Sequence, residues 1–400
     1  MTERIYYTQP DLLEFTAHVV AVERDPRPAV VLDRSAFYPT SGGQIFDTGW
    51  LEANGARLRV TEVADRDDET VVHFVEAADS LGPGAAVKGT IDAPRRRDHM
   101  QQHTGQHVLS AAFIELFNMP TVSFHMGDES CTIDLDAPSL TPEQMVKAEM
   151  RANHVVVENR PVQIRFASRD EAQRLGIRKI PADVKGDLRL IDIEGIDLCA
   201  CGGTHVARTG QIGPIQVRKS EKVKQGTRVD FVCGFRALRH ARRDLETLRA
   251  AAEVFSAHIW ELPQQIQKAQ EEVKSGRKRE QKLLEEIAEL LAAQMVGEAS
   301  GVIRRVFADR DVNFIKLLAQ KMTKAEKVVA LLGSSAGQPS LVFAQTPGSV
   351  HDMGALMKQV LAEHGGRGGG SKDLAQAGLP EGTNLEAALT AAETKLRSIL

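Results

Sequence analysis

The sequence predicts an α+β protein built from four successive parts: a small N-terminal β-barrel, an α+β domain, a long helical segment and a small C-terminal α/β domain. Three patterns support this fold class. Short β-branched runs fill the first part, helical and strand periodicities alternate in the second and fourth, and a heptad repeat occupies the third. The 400 residues, 42% hydrophobic and 26% charged, suit a globular chain of several domains.

Residues 1–92 are expected to form the barrel. The runs "AVVLDRSAFYP", "ARLRVTEV" and "TVVHFVEA" are rich in β-branched residues and are separated by Gly, Asn, Asp and Pro. Their length and spacing suit a small closed barrel. A sheet without any special function would explain most of this region equally well.

Residues 93–236 mix helices with strands and are expected to form an α+β domain. The segment "RDHMQQHTGQHVLSAAFIELF" predicts a helix that ends at Asn118, before Pro120. A second helix is predicted after Thr141, which can cap it, with Pro142 at the first helical position. The segments "PVQIRFAS" and "LRLIDIEG" predict strands, and residues 213–234 predict a strand pair.

Residues 237–297 carry a heptad seam, which predicts a coiled coil or helical hairpin that Pro263 divides or kinks. The seam needs burial against its own hairpin or against a second subunit, and the sequence leaves both open. Residues 298–400 are expected to form a small α/β domain, because strand-like "KVVALLGSS" and "PSLVFAQT" precede the helical "VHDMGALMKQVLAEH". A glycine-rich stretch, "GGRGGGSKDLAQAG", and a final helical segment follow.

Composition excludes several classes of protein. No apolar run approaches the length needed to span a bilayer, and the N-terminus has no apolar signal region, so we expect a cytoplasmic protein. Four cysteines in 400 residues do not form a disulfide framework. The formal net charge of −4 gives no global attraction to nucleic acid, so an RNA site would need a local basic patch.

Two separated motifs predict a metal site. His103 and His107 stand four residues apart on the first helix, where their side chains face the same way. Cys201 and His205, in "CACGGTH", flank a Gly-Gly turn that lets a thiolate and an imidazole converge. Three imidazoles and a thiolate suit zinc better than magnesium or calcium, so Zn²⁺ is the expected cofactor.

Other interpretations of these residues are weaker. A thermolysin-like protease would have glutamate where Thr104 stands. A redox pair of Cys199 and Cys201 would leave the histidines unexplained. His99, one turn before His103, is expected to support the site from outside or to face RNA rather than to bind metal.

The segment "FYPTSGGQIFDTG" predicts part of a small polar pocket. Thr40, Ser41 and Gln44 supply hydrogen-bonding groups beside aromatic residues, and Gly42 and Gly43 allow a turn. A surface turn would account for the glycines alone. We expect Ser41, Gly42, Gly43 and Gln44 to line the substrate pocket.

Three motifs together resemble the alanyl-tRNA editing proteins, the AlaX family, which are free-standing relatives of the editing domain of alanyl-tRNA synthetase. They are "SAFYPTSGGQIFDTG", "RDHMQQHTGQHVLSAAF" and "DLCACGGTHVARTGQIG". The C-terminal "GGRGGGSKDLAQAG" is similar to the glycine-rich element of the synthetase's DHH-associated domain. With the heptad helices, this places the chain with the long form of the family.

The resemblance implies a hydrolase that deacylates tRNA(Ala) mischarged with serine or glycine and spares Ala-tRNA(Ala). It implies zinc ligands at His103, His107, Cys201 and His205, with "SGGQ" shaping the pocket. Gln44 and Thr40 are expected to join these ligands in catalysis. No ATP site or aminoacylation core is seen, so the chain is expected to edit and not to charge. A homodimer through the C-terminal region and no membrane association are also expected.

Basic segments are the candidate tRNA contacts, although each would also serve as a solvated face. The residues expected to touch tRNA are Arg95, Arg96, Arg97, Lys219, Arg236, Gly366, Arg367 and Gly368. The glycine-rich stretch is interpreted either as a backbone-amide cradle for phosphate or as a flexible linker. Two other functions stay open: a zinc-stabilised tRNA-binding module without catalysis, and a metal-dependent hydrolase of another ester or amide.

Overall fold

The computed structural model describes residues 1–78, 81–177, 186–224, 226–298 and 301–398. Within them the chain divides into two compact units, Met1–Ala250 and Ala251–Leu400. The fold is mixed α+β, as the sequence predicts. The four predicted domain ranges remain predictions, because a division into two units does not test them.

The N-terminal region forms a closed six-stranded barrel, which confirms that prediction. Its strands follow the order β2-β3-β7-β6-β5-β8 around the barrel, and a short parallel pair, β1 and β4, lies beside it. Phe15, Phe37, Leu51 and Val60 fill the barrel interior. The strands are β1 (Glu3–Arg4), β2 (Glu14–Glu23), β3 (Ala29–Leu32), β4 (Arg34–Ser35), β5 (Gly49–Ala53), β6 (Ala56–Asp65), β7 (Val71–Val75) and β8 (Ala86–Ile91).

A long buried helix, α1 (Ala93–Phe117), follows the barrel and carries the histidine motif. The Asp92 side chain caps it by accepting a hydrogen bond from the Arg95 amide, and Asn118 ends it in the left-handed conformation. One four-stranded and one three-stranded sheet complete this part of the unit, in the orders β14-β15-β10-β9 and β11-β12-β13. Their elements are β9 (Thr121–Met126), β10 (Cys131–Leu135), α2 (Pro142–Glu158), β11 (Val162–Ala167), α3 (Arg169–Arg174), β12 (Leu188–Ile193), β13 (Asp197–Ala200), β14 (Ile215–Val223) and β15 (Gly226–Cys233).

A buried ion pair joins the barrel to α1. The Arg96 guanidinium bonds to the Asp47 carboxylate, and both side chains are fully buried. Arg96 also donates to the Ala36 carbonyl oxygen at 2.6 Å, and Asp47 accepts from the Tyr38 amide at 2.7 Å. Because burial of an unpaired charge is costly, this network specifies one placement of α1 against the barrel.

The heptad region forms two helices, α4 (Gly234–Val254) and α5 (Leu262–Glu298), and a short 3₁₀ turn at Ile259–Glu261 precedes α5. Pro263 lies in the first turn of α5, where its missing N–H costs nothing, so the chain breaks just before it, as predicted. Part of the seam remains exposed, including Ile266, Val273 and Leu283. The coiled coil therefore stays a prediction. Among the described helices, none is both long enough and apolar enough to cross a membrane.

The C-terminal part of the second unit is a five-stranded sheet, ordered β16-β17-β18-β20-β19, with helices packed on it. Its elements are β16 (Val302–Phe307), α6 (Val312–Met322), β17 (Val329–Ser334), β18 (Ser340–Gln345), α7 (Met353–His364), β19 (Arg367–Gly370), β20 (Leu374–Gly378) and α8 (Leu385–Arg397). Ile399 and Leu400, at the end of the last predicted helix, lie outside the described residues.

The glycine-rich stretch contains a paired strand, so its interpretation as a flexible linker is wrong, and phosphate binding by its backbone amides stays a prediction. Residues 367–370 form β19, an edge strand paired with β20, in which successive N–H groups point in opposite directions. A Cβ on Gly368 would stand 2.4 Å from the Ala377 Cα, so glycine permits the close pairing of these strands. Gly366, Arg367 and Gly368 are exposed, and their contact with tRNA stays a prediction.

One ionisable side chain lies inside the barrel. His73, on β7, is fully buried, with its Nδ1 3.1 Å from the Val30 carbonyl oxygen and its Nε2 2.7 Å from the Ser35 hydroxyl oxygen. The carbonyl can only accept, so Nδ1 carries the proton and Nε2 accepts from Ser35. Burial lowers the pKa of His73 from 6.5 to about 4. The imidazole is therefore neutral in the folded protein at neutral pH.

This lowered pKa predicts an acid-sensitive barrel. Below pH 6.5 His73 becomes protonated in the unfolded chain, whereas in the folded chain it stays neutral down to about pH 4. The free energy of unfolding therefore decreases as the pH falls from 6.5 towards 4. Lowering the pH from 7 to 5 is expected to decrease the free energy of unfolding by about 2 kcal/mol through His73 alone. Urea unfolding of the wild type and of His73→Asn, which keeps a donor towards Val30 but cannot titrate, measures the difference. An equal pH dependence in both proteins would contradict the assignment.

Candidate metal centre

Helix α1 supplies two imidazoles to a buried cluster. His103 and His107 are one helical turn apart, with ring centroids 5.3 Å from each other. They are 3% and 8% exposed, so they lie inside the domain rather than on a solvated helix face. The His103 ring also stacks on Phe124 of β9 at 5.3 Å between centroids. The helix therefore delivers both rings in fixed orientations.

The turn after β13 supplies the thiol and the third imidazole. The Cys201 amide donates to the Arg189 carbonyl oxygen at 3.1 Å, and Arg189 Nη1 donates back to the Cys201 carbonyl oxygen at 2.6 Å. Gly203 packs directly against the facing helix, because a Cβ there would stand 2.1 Å from His103 Cε1. Only glycine permits this approach, which explains the Gly-Gly turn between Cys201 and His205.

Four ligand atoms meet at one point. Cys201 Sγ lies 3.5 Å from His103 Nε2 and 3.3 Å from His205 Nε2. One ligand atom from each of His103, His107, Cys201 and His205 lies within 4.8 Å of the others. The separations of 3.3 and 3.5 Å are those of ligands around one metal ion, since bonds of about 2.0–2.3 Å place tetrahedral ligand atoms roughly 3.3–3.8 Å apart. The cluster can therefore hold a metal ion.

The second ring nitrogen of each histidine faces a hydrogen-bond acceptor. His103 Nδ1 lies 2.8 Å from Gln44 Oε1, His205 Nδ1 lies 3.2 Å from Thr104 Oγ1, and His107 Nδ1 lies 3.0 Å from Asp197 Oδ2. Gln44 Oε1 can only accept, so His103 keeps a proton on Nδ1 and leaves Nε2 free to bind a metal. Although burial lowers the pKa of His107, Cys199 and Asp197 raise it well above its usual range, so a metal ion would have to displace a proton from this ring. The Thr104 hydroxyl orients the His205 ring.

Gln44 is the residue of the "SGGQ" turn that reaches this cluster. Its fully buried side chain accepts from His103 Nδ1 and from the Thr204 amide at 3.0 Å, and it donates to Thr204 Oγ1 at 2.9 Å. It thus ties the barrel to both metal-binding segments. Thr40 and Ser41 are exposed, and among the contacts of the described residues none joins Thr40 to the cluster. Gly43 lies under Phe124, whose carbonyl oxygen would stand 2.4 Å from a Cβ.

The electrostatics of the cluster favour a bound cation. Burial alone would raise the pKa of the Cys201 thiol, but His103 and His205 lower that pKa well below its usual range. Burial lowers the pKa of His205 to about 3, although Cys201 opposes this shift. A thiolate and a neutral imidazole are the protonation states that metal binding requires.

A cavity of about 660 Å³ opens beside the cluster. His103, His107 and Cys201 form one wall, and polar side chains from α1 and β9 face them. Among those polar groups, Gln106 donates to Ser110 at 2.9 Å, and the Ser110 and Thr121 hydroxyls are 2.6 Å apart. The lining residues include Gly42, Gln106, Ser110, Thr121, Ser123, Phe124, Asp197 and Cys199. The cavity thus has both apolar and polar lining, and its polar groups lie close to the candidate metal ligands.

Two arginines expected to contact tRNA are structural, and the prediction for them is wrong. Arg96 is fully buried in its pair with Asp47. Arg236 is 3% exposed and pairs with Asp98, with Nη1 2.6 Å from the Gly127 carbonyl oxygen. Neither guanidinium can reach a phosphate at the surface.

The remaining candidates lie closer to solvent. Arg95 is half-buried and donates to the Phe46 carbonyl oxygen at 2.9 Å. Arg97 and Lys219 are exposed, and Lys219 pairs with Asp230. His99 is 1% exposed, which excludes an RNA-facing role. Its burial and the nearby charges of Arg95 and Arg236 lower the pKa of His99 to about 3. RNA contact by Arg95, Arg97 and Lys219 stays a prediction.

Sequence reasoning missed three supporting residues, Asp197, Thr104 and Arg189. Thr104 was noted only because it is not glutamate, yet its hydroxyl oxygen accepts from the Val206 amide at 3.1 Å and faces His205. Asp197 and Cys199 alternate with Cys201 along the strand direction, so a period of two was the available signal for a shared face. Cys199 Sγ lies 3.1 Å from His107 Nδ1, on the side of the ring away from the four-residue cluster.

Comparison with known protein families finds three matches along the chain. Residues 5–95 match class II (A) tRNA synthetases, residues 188–228 match the second additional domain of threonyl and alanyl tRNA synthetases, and residues 314–398 match the DHHA1 domain. The first match covers the barrel, and the second contains β12, β13 and the Cys201–His205 turn. The third covers most of the C-terminal sheet.

Curated relatives are alanine–tRNA ligases. Those of Pyrococcus abyssi and Archaeoglobus fulgidus are 32% and 33% identical over 94% of this chain, and each alignment covers 42% of the relative. That of Natronomonas pharaonis is 33% identical over 100% of this chain and 44% of the relative. The chain therefore spans less than half the length of the curated relatives it matches, and it is similar to alanyl-tRNA synthetases along nearly its whole length.

A solved structure, the C-Ala domain of Aquifex aeolicus alanyl-tRNA synthetase, is 22% identical to this chain. The match covers 24% of this chain and 93% of that one, with a TM-score of 0.21. A score this low does not establish a common fold.

The Asp197 carboxylate predicts a measurable effect on metal affinity. Asp197→Asn removes the charged acceptor that fixes the His107 ring, so the affinity for Zn²⁺ is expected to fall by about 10- to 100-fold. Competition with a chromophoric chelator measures it. Asp192→Asn, which replaces a carboxylate of β12 paired with Arg165, is the matched control and should bind Zn²⁺ as the wild type does. Equal affinities for all three proteins would contradict this role.

The close contact of Gly203 with His103 predicts that a side chain at position 203 will prevent metal binding. In Gly203→Ala the new methyl group would overlap the His103 ring, so the ring must leave its position and the metal stoichiometry should fall well below one per chain. Gly202→Ala is the matched control, because its nearest neighbour, Tyr7 Oη, is 3.6 Å away. Elemental analysis of both purified variants measures bound metal. Full occupancy in Gly203→Ala would show that the approach is not as close as described.

Proposed function

We propose that this chain, a relative of alanyl-tRNA synthetases, is an editing hydrolase of the AlaX type, long form, with Zn²⁺ as its metal. Its reaction is hydrolysis of the ester that joins serine or glycine to tRNA(Ala), and Ala-tRNA(Ala) is spared. The observation that carries the proposal is the convergence of His103, His107, Cys201 and His205 beside a cavity with a row of polar side chains. The match of residues 188–228 to a domain of threonyl and alanyl tRNA synthetases supports it.

The donor set favours zinc over magnesium and calcium. One thiolate and three imidazole nitrogens are ligands of intermediate softness, whereas magnesium and calcium prefer oxygen. When bound, zinc supplies Lewis-acid chemistry beside the scissile ester. The chain's own contribution is to hold the ligands, through Gln44, Thr104 and Asp197, and to shape the cavity in which the ester lies.

The cavity wall offers a basis for discrimination. The hydroxyls of Ser110 and Thr121 and the amide of Gln106 form a connected polar row along it. A serine side chain would complete hydrogen bonds with such a row, whereas the methyl group of alanine would leave polar groups unpaired. Size selection in an aminoacylation pocket gives only about 1–3 kcal/mol between similar side chains, which is why a second, hydrolytic site is useful.

A metal-stabilised tRNA-binding module without catalysis is the second candidate. Four protein ligands are more typical of structural zinc than of catalytic zinc, which usually keeps one position open. Such a module would bind the RNA and release no amino acid. A peptidase is disfavoured, because Thr104 stands where the metalloprotease motif has its glutamate, and its hydroxyl supports His205.

Cytoplasmic location, a homodimer through the C-terminal region and independence from ATP complete the proposal. The exposed part of the heptad seam is consistent with a partner chain, since a row of apolar side chains gains by burial.

Deacylation measured on three radiolabelled substrates tests the proposal. Loss of acid-precipitable counts is expected for Ser-tRNA(Ala), Gly-tRNA(Ala) or both, with Ala-tRNA(Ala) stable. Cys201→Ala should lose both bound zinc and hydrolysis, because a neutral methyl group replaces the one anionic ligand. Cys131→Ala, which removes a buried thiol of β10 outside the cluster, is the matched control and should keep its metal.

The results separate the candidates. Tight tRNA binding without release of any amino acid would favour the non-catalytic module. Hydrolysis of all three species at equal rates would contradict editing specificity. Hydrolysis that persists in zinc-free Cys201→Ala would contradict a role of the metal centre in the reaction.

A further inference from the structure

An exposed phenylalanine stands at the start of α4. Phe235 is 55% exposed, although most of its neighbours along the chain are buried. It lies between two concavities of the first unit and lines both of them: a cavity of about 460 Å³ and another of about 660 Å³. A large aromatic ring with open space on two sides is not explained by packing.

The ring is held in place by buried polar contacts of the adjacent residues. Arg236 pairs with Asp98 of α1 through bonds of 3.0 Å from Nε to both carboxylate oxygens. The Phe235 amide approaches Gln101 Oε1 at 3.5 Å, and Gly234 takes the left-handed conformation at φ +58°. These contacts lock the first turn of α4 onto α1. The backbone of Phe235 is therefore fixed relative to α1, so the position of the ring at the surface is defined.

Arginines surround the ring. Arg97, next to Asp98 on α1, lines both concavities with Phe235, and Arg239, one turn further along α4, lines the smaller one. Both are exposed, and neither forms an ion pair within the described residues. Asp98, which also lines the smaller cavity, is neutralised by Arg236. The larger cavity has one carboxylate, Asp11, among its lining residues.

The larger cavity reaches one candidate metal ligand, His205, and is separate in its lining from the cavity proposed to hold the ester. Its lining includes Arg97 and Phe235 and extends along Met100 and Gln101 of α1 to His205. Along α1 the distance from Arg97 to His103 is six residues, or about 9 Å at 1.5 Å per residue. A flexible strand of a few nucleotides can span such a distance.

We propose that the unpaired 3′ end of a tRNA docks on this surface, with a base stacked on Phe235 and its flanking phosphates on Arg97 and Arg239. The proposal rests on the proposed function for the identity of the RNA. Aromatic rings flanked by cationic side chains are the general means of binding single-stranded nucleic acid, because every base offers a flat face and every nucleotide a negative charge. Arg236, expected to contact RNA directly, instead positions Phe235.

Fluorescence anisotropy with two RNA probes tests the surface. One probe is a full tRNA(Ala) transcript, and the other is the same transcript without its unpaired 3′ nucleotides. Phe235→Ala is expected to weaken binding of the full transcript by about 5- to 100-fold, the effect of losing one stacked base, and to leave the truncated transcript unaffected. Phe235→Trp should bind the full transcript as the wild type does, because it keeps a stacking ring.

Leu238→Ala is the matched control. Leu238 is 57% exposed on the same helix but lines neither concavity, so its loss removes similar apolar area without removing a stacking ring. Binding of both transcripts should be unchanged. Arg97→Gln combined with Arg239→Gln should weaken binding of the full transcript and reduce its salt dependence by about one unit of slope, the amount expected when one to two phosphate contacts on a single strand are lost.

Several outcomes would overturn the proposal: no effect of Phe235→Ala, an equal loss for both transcripts, or an equal loss in Leu238→Ala, which would indicate a non-specific apolar contact such as a protein partner. Deacylation assays separate this failure from that of the proposed function. If the wild type hydrolyses mischarged tRNA and Phe235→Ala binds the full transcript as the wild type does, only the proposed docking surface is wrong. If no amino acid is released while Phe235→Ala still selectively weakens the full transcript, the surface stands and editing is wrong.

Discussion

The site depends on the close approach of one turn to one helix. Gly203 lies against the His103 ring, at a separation that admits no side chain, and this contact brings Cys201 and His205 to the two imidazoles of α1. Neither segment holds four ligands alone. The candidate metal centre therefore forms only where the α1 helix and the β13 turn are packed together, and a cation bound there would favour the packed state over the separated one.

The barrel takes part in this arrangement rather than merely preceding it. Gln44 extends from the barrel turn to His103 and Thr204, and the Arg96–Asp47 pair fixes the first turns of α1 on the barrel wall. Both contacts are buried, where an unpaired amide or charge would be costly, so each demands its partner. The orientation of the His103 ring is thus set by the barrel, more than fifty residues earlier in the chain.

Much of the fold followed from local patterns. The helix around His103 and His107, its end at Asn118, the capped helix at Thr141, the barrel and the break before Pro263 are all signalled by residues close in sequence. The sequence does not identify the strand in the glycine-rich stretch, because glycine is compatible with a cradle, a linker and a closely paired strand. Only the neighbouring strand β20, whose backbone leaves no room for a Cβ at Gly368, distinguishes them.

The sequence by itself determined the ligand types and their spacing, because a separation of four residues along a helix, and of four across a Gly-Gly turn, is local geometry. Tertiary structure alone decided what each arginine does. Arg96 and Arg236 form ion pairs with Asp47 and Asp98, whereas Arg97 remains at the surface. It also decided which acceptors face the three Nδ1 atoms. Charge runs and single polar residues look alike along a chain, and whether each meets water or a buried partner depends on segments far away in sequence.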